Sequence, residues 1–277
     1  MAAKKKWSVP RLLTGLLLAA LLCAYLFPIF MIVMNSFKPF KEMFLSFLSF
    51  PKSLYLDNYI TAFHSAGFVR KVLNNLLLTF ITVVGVILCG SLAGYKLSRD
   101  KSRLSGFFYM LFTVPFLIPF YTYMIPLVKQ MTKLGLMNHL YGLALVSIST
   151  SSFAVFMFHG FAKGIPAELD EAARIDGCSE LGLFFRVIFP LLKPVVSSVA
   201  VLYSIWTWND FLLPFLILTD SERQTITISV YQMFGKYGSE WDVITATLVL
   251  ASLPMVILYL CLQKYVVSGI VAGAVKG

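Results

Sequence analysis

The sequence predicts an all-helical membrane protein with six transmembrane helices. Of its 277 residues, 58% are hydrophobic and only 13% are charged, and the mean hydropathy of +0.81 lies outside the range of ordinary soluble domains. Six apolar runs reach the roughly 20 residues that a helix needs to cross a hydrocarbon core. The predicted spans are Leu12–Met34, Val72–Tyr95, Gly106–Val128, Tyr141–Ala162, Pro194–Leu218 and Val243–Val266.

Basic residues predict how these spans are oriented. Lys4, Lys5, Lys6 and Arg11 precede the first span, and four more basic residues crowd the short loop Lys96–Arg103. Short loops rich in Lys and Arg stay in the cytoplasm, so both termini are predicted to be cytoplasmic. The net charge of +10 is therefore attributed to topology and anionic-lipid contact, not to nucleic-acid binding. The first apolar run, about 23 residues, exceeds a signal-peptide core and is expected to be retained.

Prolines predict that several spans are irregular. The third span contains Pro115, Pro119 and Pro126, so it should be kinked or interrupted, because proline removes a helix hydrogen bond and frees a carbonyl. Pro214 lies near the outer end of the fifth span and Pro254 near the middle of the sixth.

The segment between the first two spans, residues 35–71, is long for a loop and rich in aromatic residues. We predict an ordered outer segment that either faces the membrane interface or a partner, or packs over the helix ends. Within it we predict a helix over about Leu56–Ala66, started by Asp57 or Asn58.

The most informative segment is the polar stretch Lys163–Lys193 between the fourth and fifth spans, here called the coupling loop. Pro166 suits a first helical turn and Gly177 suits the position just past a helix end, which predicts a short helix over Ala167–Asp176. Three residues of this helix, spaced i, i+3 and i+4, should share one face that approaches a partner closely. They are Leu169, Ala172 and Ala173.

A second short helix should follow a hinge at Gly177, outside the bilayer. Ser179 is its expected N-cap, and the helix is predicted to run through Arg186 until Pro190 disturbs it.

These residues resemble a known signature. Glu171-Ala172-Ala173, three residues, Gly177, nine residues and Val187-Ile188-Phe189-Pro190 are similar to the EAA loop of type I ABC importer permeases, which usually closes with Ile-x-Leu-Pro. The resemblance implies that the loop inserts into a cleft of a cytoplasmic ATPase subunit. The alternative is a plain cytosolic loop of some other transporter. The implied coupling residues are Glu171, Ala172, Ala173, Gly177 and Pro190.

The chain has no G-x-x-x-x-G-K-[ST] phosphate loop, the nearest sequence being Gly235-Lys236-Tyr237. Energy for uphill transport must therefore come from a partner or from an ion gradient.

The fifth span contains Trp206, Trp208, Asn209 and Asp210. Asp210 lies about four residues, or ~6 Å, from the middle of the span, where a charge costs ~2.5 to 3.5 kcal/mol, so it should face the bundle interior or water. This segment resembles the tryptophan-asparagine-acid segment of sugar permeases of the carbohydrate-uptake class. Aromatic faces and amide or carboxylate groups suit a sugar path, so these four residues are the candidate translocation path. Alternatively, both tryptophans pack between helices, or Asp210 is the centre of a proton-coupled secondary transporter.

The C-terminal residues extend the resemblance. Gly273, Ala274, Val275, Lys276 and Gly277 are similar to the ending of the smaller permease subunit of maltose and oligosaccharide importers. In that family this tail approaches the ATPase. Two further segments bear on the resemblance to the carbohydrate-uptake class. Ser36-Phe37-Lys38-Pro39 fits the sequence of that class, whereas Asn74-Asn75 stands where the class usually has Asn-Ser.

The resemblance implies a single permease domain, residues 1–277, in a heterodimeric importer of the bacterial-type plasma membrane. The implied substrate is a sugar, in particular an oligosaccharide; a permease for an amino acid or polyamine remains an alternative. The implied partners are a second permease subunit, two ATPase subunits, an extracellular solute-binding protein and membrane lipid. The chain itself is expected to be no enzyme, because ATP would be bound by the partner subunits, and it is expected to need no cofactor.

The four cysteines show no disulfide or metal-ligand spacing and the three histidines are far apart, so no metal site is predicted. The cysteines, expected to be small packing residues, are Cys23, Cys89, Cys178 and Cys261. The histidines are His64, His139 and His159.

Overall fold

The computed structural model describes residues 9–65, 67–236 and 240–274, and these residues form helices without any β-strand. A 3₁₀ turn covers Val114–Leu117 and a π turn covers Phe184–Ile188. The helices are α1 Val9–Asn35, α2 Phe40–Leu45, α3 Asp57–His64, α4 Phe68–Arg99, α5 Arg103–Thr113, α6 Phe120–Lys133, α7 Leu140–Ser149, α8 Ser152–Ala162, α9 Glu168–Ile175, α10 Glu180–Leu183, α11 Phe189–Leu191, α12 Lys193–Asn209, α13 Leu212–Ile217, α14 Ile226–Lys236 and α15 Trp241–Ala274.

The chain separates into two compact units. The smaller unit holds the chain up to Phe68 together with Val230–Ser252, and the larger holds Val69–Ser229 with the chain from Leu253 onward.

Three helices are long and apolar enough to cross a membrane by themselves: Pro10–Asn35, Phe68–Arg99 and Trp241–Cys261. Three pairs of helices, each bent at a short break, also have the required length and hydropathy when each pair is taken as one span. The described residues therefore contain three to six candidate spans. Large apolar side chains along α1 and α4 are exposed in the single chain, as expected where lipid or neighbouring helices cover them.

The third predicted span is interrupted, as its prolines predict. Helix α5 passes into the 3₁₀ turn, and α6 then starts with a change of direction of 109°. Pro119 has extended backbone at the start of α6, where its missing N–H costs no hydrogen bond. Pro126 lies within α6 without ending it.

The fourth predicted span is also broken, which the sequence reasoning missed. Helices α7 and α8 meet at 45° across Thr150 and Ser151. The Thr150 hydroxyl donates to the Val146 carbonyl at 2.8 Å and the Ser151 hydroxyl to the Ile148 carbonyl at 2.6 Å. Hydroxyls that bond to preceding carbonyls satisfy the groups freed by a break, and they bend helices.

The fifth predicted span ends early, so its predicted continuation as a helix to Leu218 is wrong. Helix α12 ends at Asn209, and Asp210 has extended backbone, with φ −64° and ψ 126°. The separate helix α13 follows, and an Asp210 carboxylate oxygen accepts the Leu213 backbone N–H at 3.4 Å. An aspartate that accepts an N–H at a helix start favours a break over a continuous helix.

Two glycines bring α4 and α8 together in the larger unit. A methyl group at Gly94 would lie 2.7 Å from both the backbone nitrogen of His159 and Cβ of Phe158, and one at Gly90 would lie 3.2 Å from Cβ of Ala154. The G-x-x-x-G spacing therefore permits a backbone approach that larger residues would prevent.

A hydrophobic core fixes the coupling loop to the membrane helices of the larger unit. Four large apolar residues of the loop are almost fully buried and pack in one cluster with residues of α4, α8 and α12. They are Leu183, Phe184, Ile188 and Leu192. The loop is thus packed firmly against α12, the helix that forms the first part of the fifth span.

In the smaller unit, Lys38 organises the outer segment. Its side chain is buried, and its ammonium group donates to Asn35 Oδ1 and to the Ser46 carbonyl, both at 2.9 Å. Burial lowers the pKa of Lys38, and the surrounding oxygens compensate for part of the lost hydration.

Helix α3 covers most of the predicted outer helix, whose expected end, Ala66, lies outside the described residues. The helix begins at Asp57, one of the two expected starting residues, although no side chain caps it. Asn58 is instead buried, and its amide donates to the carbonyls of Ser36 and Lys38 at 3.0 and 2.8 Å.

Within this chain, three of the four cysteines do not pack against other residues as expected. Cys23, Cys89 and Cys261 are exposed in the single chain, and Cys178 is half-buried.

Candidate functional site

The first half of the coupling loop is a helix closed by a glycine. Gly177 has a φ of +80°, its N–H donates to the Arg174 carbonyl at 3.0 Å, and the Cys178 N–H donates to the Ala173 carbonyl at 3.0 Å. This pair of bonds satisfies the last carbonyls of α9 in a Schellman turn, for which glycine is preferred. The predicted role of Gly177 in the backbone is therefore confirmed.

The predicted bounds of this helix need a small correction. Ala167 is the N-cap and Asp176 the C-cap of α9, so Pro166 precedes the helix and does not lie in its first turn. Ser179 caps α10 as expected, because its hydroxyl accepts the Gly182 N–H at 3.2 Å.

The second predicted helix is not continuous. Helix α10 passes into the π turn, in which the Phe189 N–H donates to the Phe184 carbonyl, and α11 then begins with Pro190 in its first turn. Pro190 has no N–H to offer the carbonyl four residues earlier and would collide with it in a regular helix, so the widened turn relieves this conflict.

The three residues predicted to share one face of α9 do not all face outward. Ala173 is 7% exposed and Asp170 3% exposed, so both face the core of this chain. Glu171, Ala172 and Leu169 are exposed. Ala172 and Ala173 are sequence neighbours about 100° apart around the helix, so one can face outward while the other packs inward.

A polar joint, missed by the sequence reasoning, attaches α9 to the end of α4. Arg99 donates from Nε to Asp170 Oδ2 at 2.7 Å and from Nη2 to Asp170 Oδ1 at 3.2 Å. Its remaining nitrogen, Nη1, donates to the carbonyls of Ala162 and Ile165. The Tyr95 hydroxyl donates to Asp170 Oδ2 at 2.9 Å. A mostly buried ion pair joined by two hydrogen bonds holds α4 and α9 in one relative geometry.

A second feature is a cavity of about 440 Å³ in the larger unit. Trp206, Asn209 and Asp210 line it, as the path prediction requires. Trp208 does not: it is 3% exposed, and its carbonyl accepts the Asn75 amide at 3.1 Å. Two residues apart in a helix means roughly 200° around its axis, so the two tryptophans face opposite sides.

The cavity combines aromatic faces with polar groups. The ring centroid of Phe153 lies 5.6 Å from that of Trp206, and that of Tyr203 lies 5.1 Å from Trp206. Hydroxyl, amide and carboxylate groups share the lining, from Thr82, Ser147, Thr150, Thr207, Asn209 and Asp210. Aromatic rings cover apolar ligand faces while these groups exchange hydrogen bonds, so the cavity suits a polyhydroxylated ligand.

The remaining predicted residues lie at the C-terminus. Gly273 and Ala274 end α15, whereas Val275, Lys276 and Gly277 lie outside the described residues. Within residues 9–65, 67–236 and 240–274, no group of three His, Cys, Asp or Glu side chains is placed to hold a metal ion.

Comparison with known proteins gives consistent matches. The probable starch degradation products transport system permease protein AmyC of Thermoanaerobacterium thermosulfurigenes is 39% identical over 98% of this chain and 99% of its own length. The melibiose/raffinose/stachyose import permease protein MelC of Bacillus subtilis is 34% identical over 95% of each chain.

A solved bacterial ABC transporter that imports the acidic polysaccharide alginate contains a chain with the same fold. The TM-score is 0.83 and the identity 23%, covering 95% of this chain and 99% of that one.

A family match covers most of the larger unit and the last helix. Residues 86–271 match the family described as the binding-protein-dependent transport system inner membrane component. This range contains the coupling loop with its glycine turn, as well as Trp206, Asn209 and Asp210. Together with the full-length relatives, the match shows that the chain belongs to this family of binding-protein-dependent inner-membrane transport components.

Proposed function

We propose that the chain is one permease subunit of a heterodimeric, ATP-driven importer for a carbohydrate, in particular an oligosaccharide. It forms a single permease domain of six spans in a bacterial-type plasma membrane, with both termini cytoplasmic. A second permease subunit completes the path, two ATPase subunits bind ATP, and an extracellular solute-binding protein delivers the sugar.

The observation that carries this proposal is the cavity at the end of α12. Its aromatic rings and hydrogen-bonding groups fit a sugar ring, which has apolar faces and a polar edge. The named substrates of the relatives, starch degradation products and melibiose, raffinose and stachyose, support the same ligand class.

The coupling loop supplies the contact with the ATPase in this proposal. Glu171 and Ala172 lie on its exposed side, and Ile175 is 86% exposed although it is apolar. Exposed apolar, small and charged residues on one short helix form an amphipathic surface of the kind that fits a partner's groove. Gly177 sets the turn and Pro190 the widened helix, while Ala173 fixes α9 to the core. The tail Gly273–Gly277 is proposed to lie near the same partner.

The connections of the loop indicate how the ATPase would act on the path. The polar joint ties α9 to α4, and the apolar cluster ties the second half of the loop to α12. Both α4 and α12 contribute to the cavity lining, through Thr82 and Trp206 among others. Closure of the ATPase pair would therefore shift the walls of the cavity and alternate its access between the two membrane sides.

Reconstituted transport tests the proposed function. The chain, purified with its partner permease, ATPase subunits and loaded solute-binding protein, should move sugar into proteoliposomes only when ATP is supplied. A panel of melibiose, raffinose, stachyose and starch hydrolysate covers the substrates for which the relatives are named. Uptake of amino acids or polyamines in place of every sugar would identify a permease for another solute.

Proton-coupled transport centred on Asp210 is the second candidate. Among the described residues that line the cavity, Asp210 is the only acid, and no lysine or histidine accompanies it. Its carboxylate accepts a backbone N–H, as a structural cap does. We expect a proton gradient without ATP to drive no uptake, and proton-driven uptake would replace the ATP-driven proposal.

Labelling of one engineered cysteine should test the position of the coupling loop. In a variant without native cysteines, Ile175→Cys should react with a membrane-impermeant maleimide in inside-out vesicles and stay unreacted in intact cells. Bound ATPase subunits should protect it, because the side chain lies on the proposed docking surface. Leu56→Cys, an exposed position in the outer segment, is the control and should show the opposite sidedness. Reaction of Ile175→Cys from outside would refute the orientation.

A further inference from the structure

Three polar side chains on one face of α4 have buried atoms without a hydrogen-bond partner. They account for three of the four such atoms in the described part of the chain: Asn75 Oδ1, Thr79 Oγ1 and Thr82 Oγ1. The spacing i, i+4, i+7 places them in one line along the helix, about 10 Å long at 1.5 Å per residue. We refer to these three residues as the α4 polar stripe.

The two threonines of the stripe differ from others in the structure. A helical threonine usually satisfies its hydroxyl by bonding to the carbonyl of the preceding turn. Five described threonines do this with the carbonyl four residues earlier: Thr14, Thr113, Thr132, Thr150 and Thr247. The hydroxyls of Thr79 and Thr82 make no such bond and are unsatisfied in a buried position, which costs free energy unless a partner arrives.

The stripe starts in the cavity and follows the end of α12. Thr82 is completely buried and lines the cavity with Trp206, Asn209 and Asp210. At the other end, the Asn75 amide donates to the Trp208 carbonyl, which leaves the Asn75 carbonyl oxygen as an acceptor. Thr82 thus lies in the cavity lining and Asn75 beside the end of α12 that carries the proposed path residues, and Thr79 lies between them on α4.

We infer that the α4 polar stripe is a hydroxyl-binding wall of the path that a carbohydrate substrate follows. This inference rests on the proposed function. Each threonine hydroxyl can donate and accept, and Asn75 Oδ1 can accept, so a row of sugar hydroxyls satisfies all three atoms. None of the three carries a charge, so they offer no counter-ion to an ionic solute. Phe153 and Trp206 cover the apolar face of a ring in the same cavity.

Isosteric substitutions test the stripe. Thr82→Val keeps the shape of the side chain and removes the hydroxyl, and Thr82→Ser keeps the hydroxyl. In proteoliposomes with the complete complex and loaded binding protein, the probe is whichever of raffinose, stachyose or starch hydrolysate the wild type transports fastest. We expect Thr82→Val to lower the sugar moved per ATP hydrolysed by about three- to tenfold. The double variant Thr79→Val/Thr82→Val should lose more, and Thr82→Ser should retain most of the wild-type ratio.

The ratio of sugar to ATP separates a path residue from a structural one. Damage to the fold lowers uptake, ATP hydrolysis and membrane level together, whereas loss of a sugar contact lowers uptake alone. Thr247→Val is the matched control, because Thr247 is equally buried but bonded within its helix, and its ratio should not change.

An unchanged ratio in the double variant, or a proportional loss of all three quantities, would overturn the inference about the stripe. A wild-type complex that moves none of the sugars would instead refute the proposed function, and the stripe with it.

Discussion

Asp170→Leu should abolish most ATP-driven uptake and destabilise the subunit by about 3 to 5 kcal/mol, the usual effect of removing one partner of a buried ion pair. The Asp170 side chain is 4% exposed and that of Arg99 17% exposed. The substitution leaves the Arg99 guanidinium largely buried without its anion and removes the acceptor of Tyr95. The attachment of α9 to α4 then fails. Uptake by the reconstituted complex and its thermal unfolding, followed by tryptophan fluorescence, measure the two effects.

Two controls show whether the effect comes from the polar joint. Arg99→Met combined with Asp170→Leu removes both charges and should recover most of the lost stability, because no unpaired charge remains. Arg174→Gln breaks the exposed pair with Glu180 in the same loop and should change little, since surface pairs contribute little. Equal losses from Asp170→Leu and Arg174→Gln would contradict a special role for the joint.

The sequence alone was sufficient to predict features that depend on the chemistry of one or a few neighbouring residues. A left-handed residue at Gly177, a cap at Ser179 and an interruption at Pro119 each follow from the conformational limits of one residue. The apolar runs similarly indicate where membrane helices occur, because the required length is set by the bilayer.

Other features depend on tertiary contacts or on competing local bonds. Asp170 and Arg99 lie 71 residues apart, and no spacing rule predicts such a pair. The break at Thr150 cannot be recognised from hydropathy, because the fourth span is as apolar as an unbroken one. The hydroxyls at the break take the place of the lost backbone hydrogen bonds. At Asn209 the chain could have continued as a helix, but an aspartate that bonds to the next helix favoured a break.

The cavity was predictable in composition but not in geometry. Trp206, Asn209 and Asp210 were expected in the path and line the cavity, whereas Trp208 was expected there and is buried elsewhere. Helical spacing alone would have separated the two tryptophans. Thr82 gave no signal, because a threonine in an apolar span usually bonds to its own helix.

Gly177→Asp should separate ATP hydrolysis from uptake while leaving the subunit folded and inserted. Apart from Gly177 itself and its two neighbours in sequence, no residue comes within 4 Å of a Cβ placed at Gly177, and aspartate adopts the left-handed backbone at a cost of about 1 to 2 kcal/mol at most. The chain itself therefore accommodates the side chain. In the proposed docking, however, the new carboxylate would lie between α9 and the ATPase. We expect uptake to fall by roughly tenfold or more, equivalent to about 1.4 kcal/mol of lost coupling, with ATP hydrolysis retained.

Gly135 provides a matched control for the backbone effect. It has a φ of +68° with open space around its Cβ position, and it closes α6 with the same two bonds, from Gly135 N–H to the Thr132 carbonyl and from Leu136 N–H to the Met131 carbonyl. Gly135→Asp should therefore carry the same backbone cost and transport normally, while Gly177→Asn, equal in shape but uncharged, should lose less than Gly177→Asp. Wild-type uptake by Gly177→Asp would contradict docking at this turn. An equal loss in Gly135→Asp would assign the defect to backbone strain, because the two positions share their geometry and differ only in what they face.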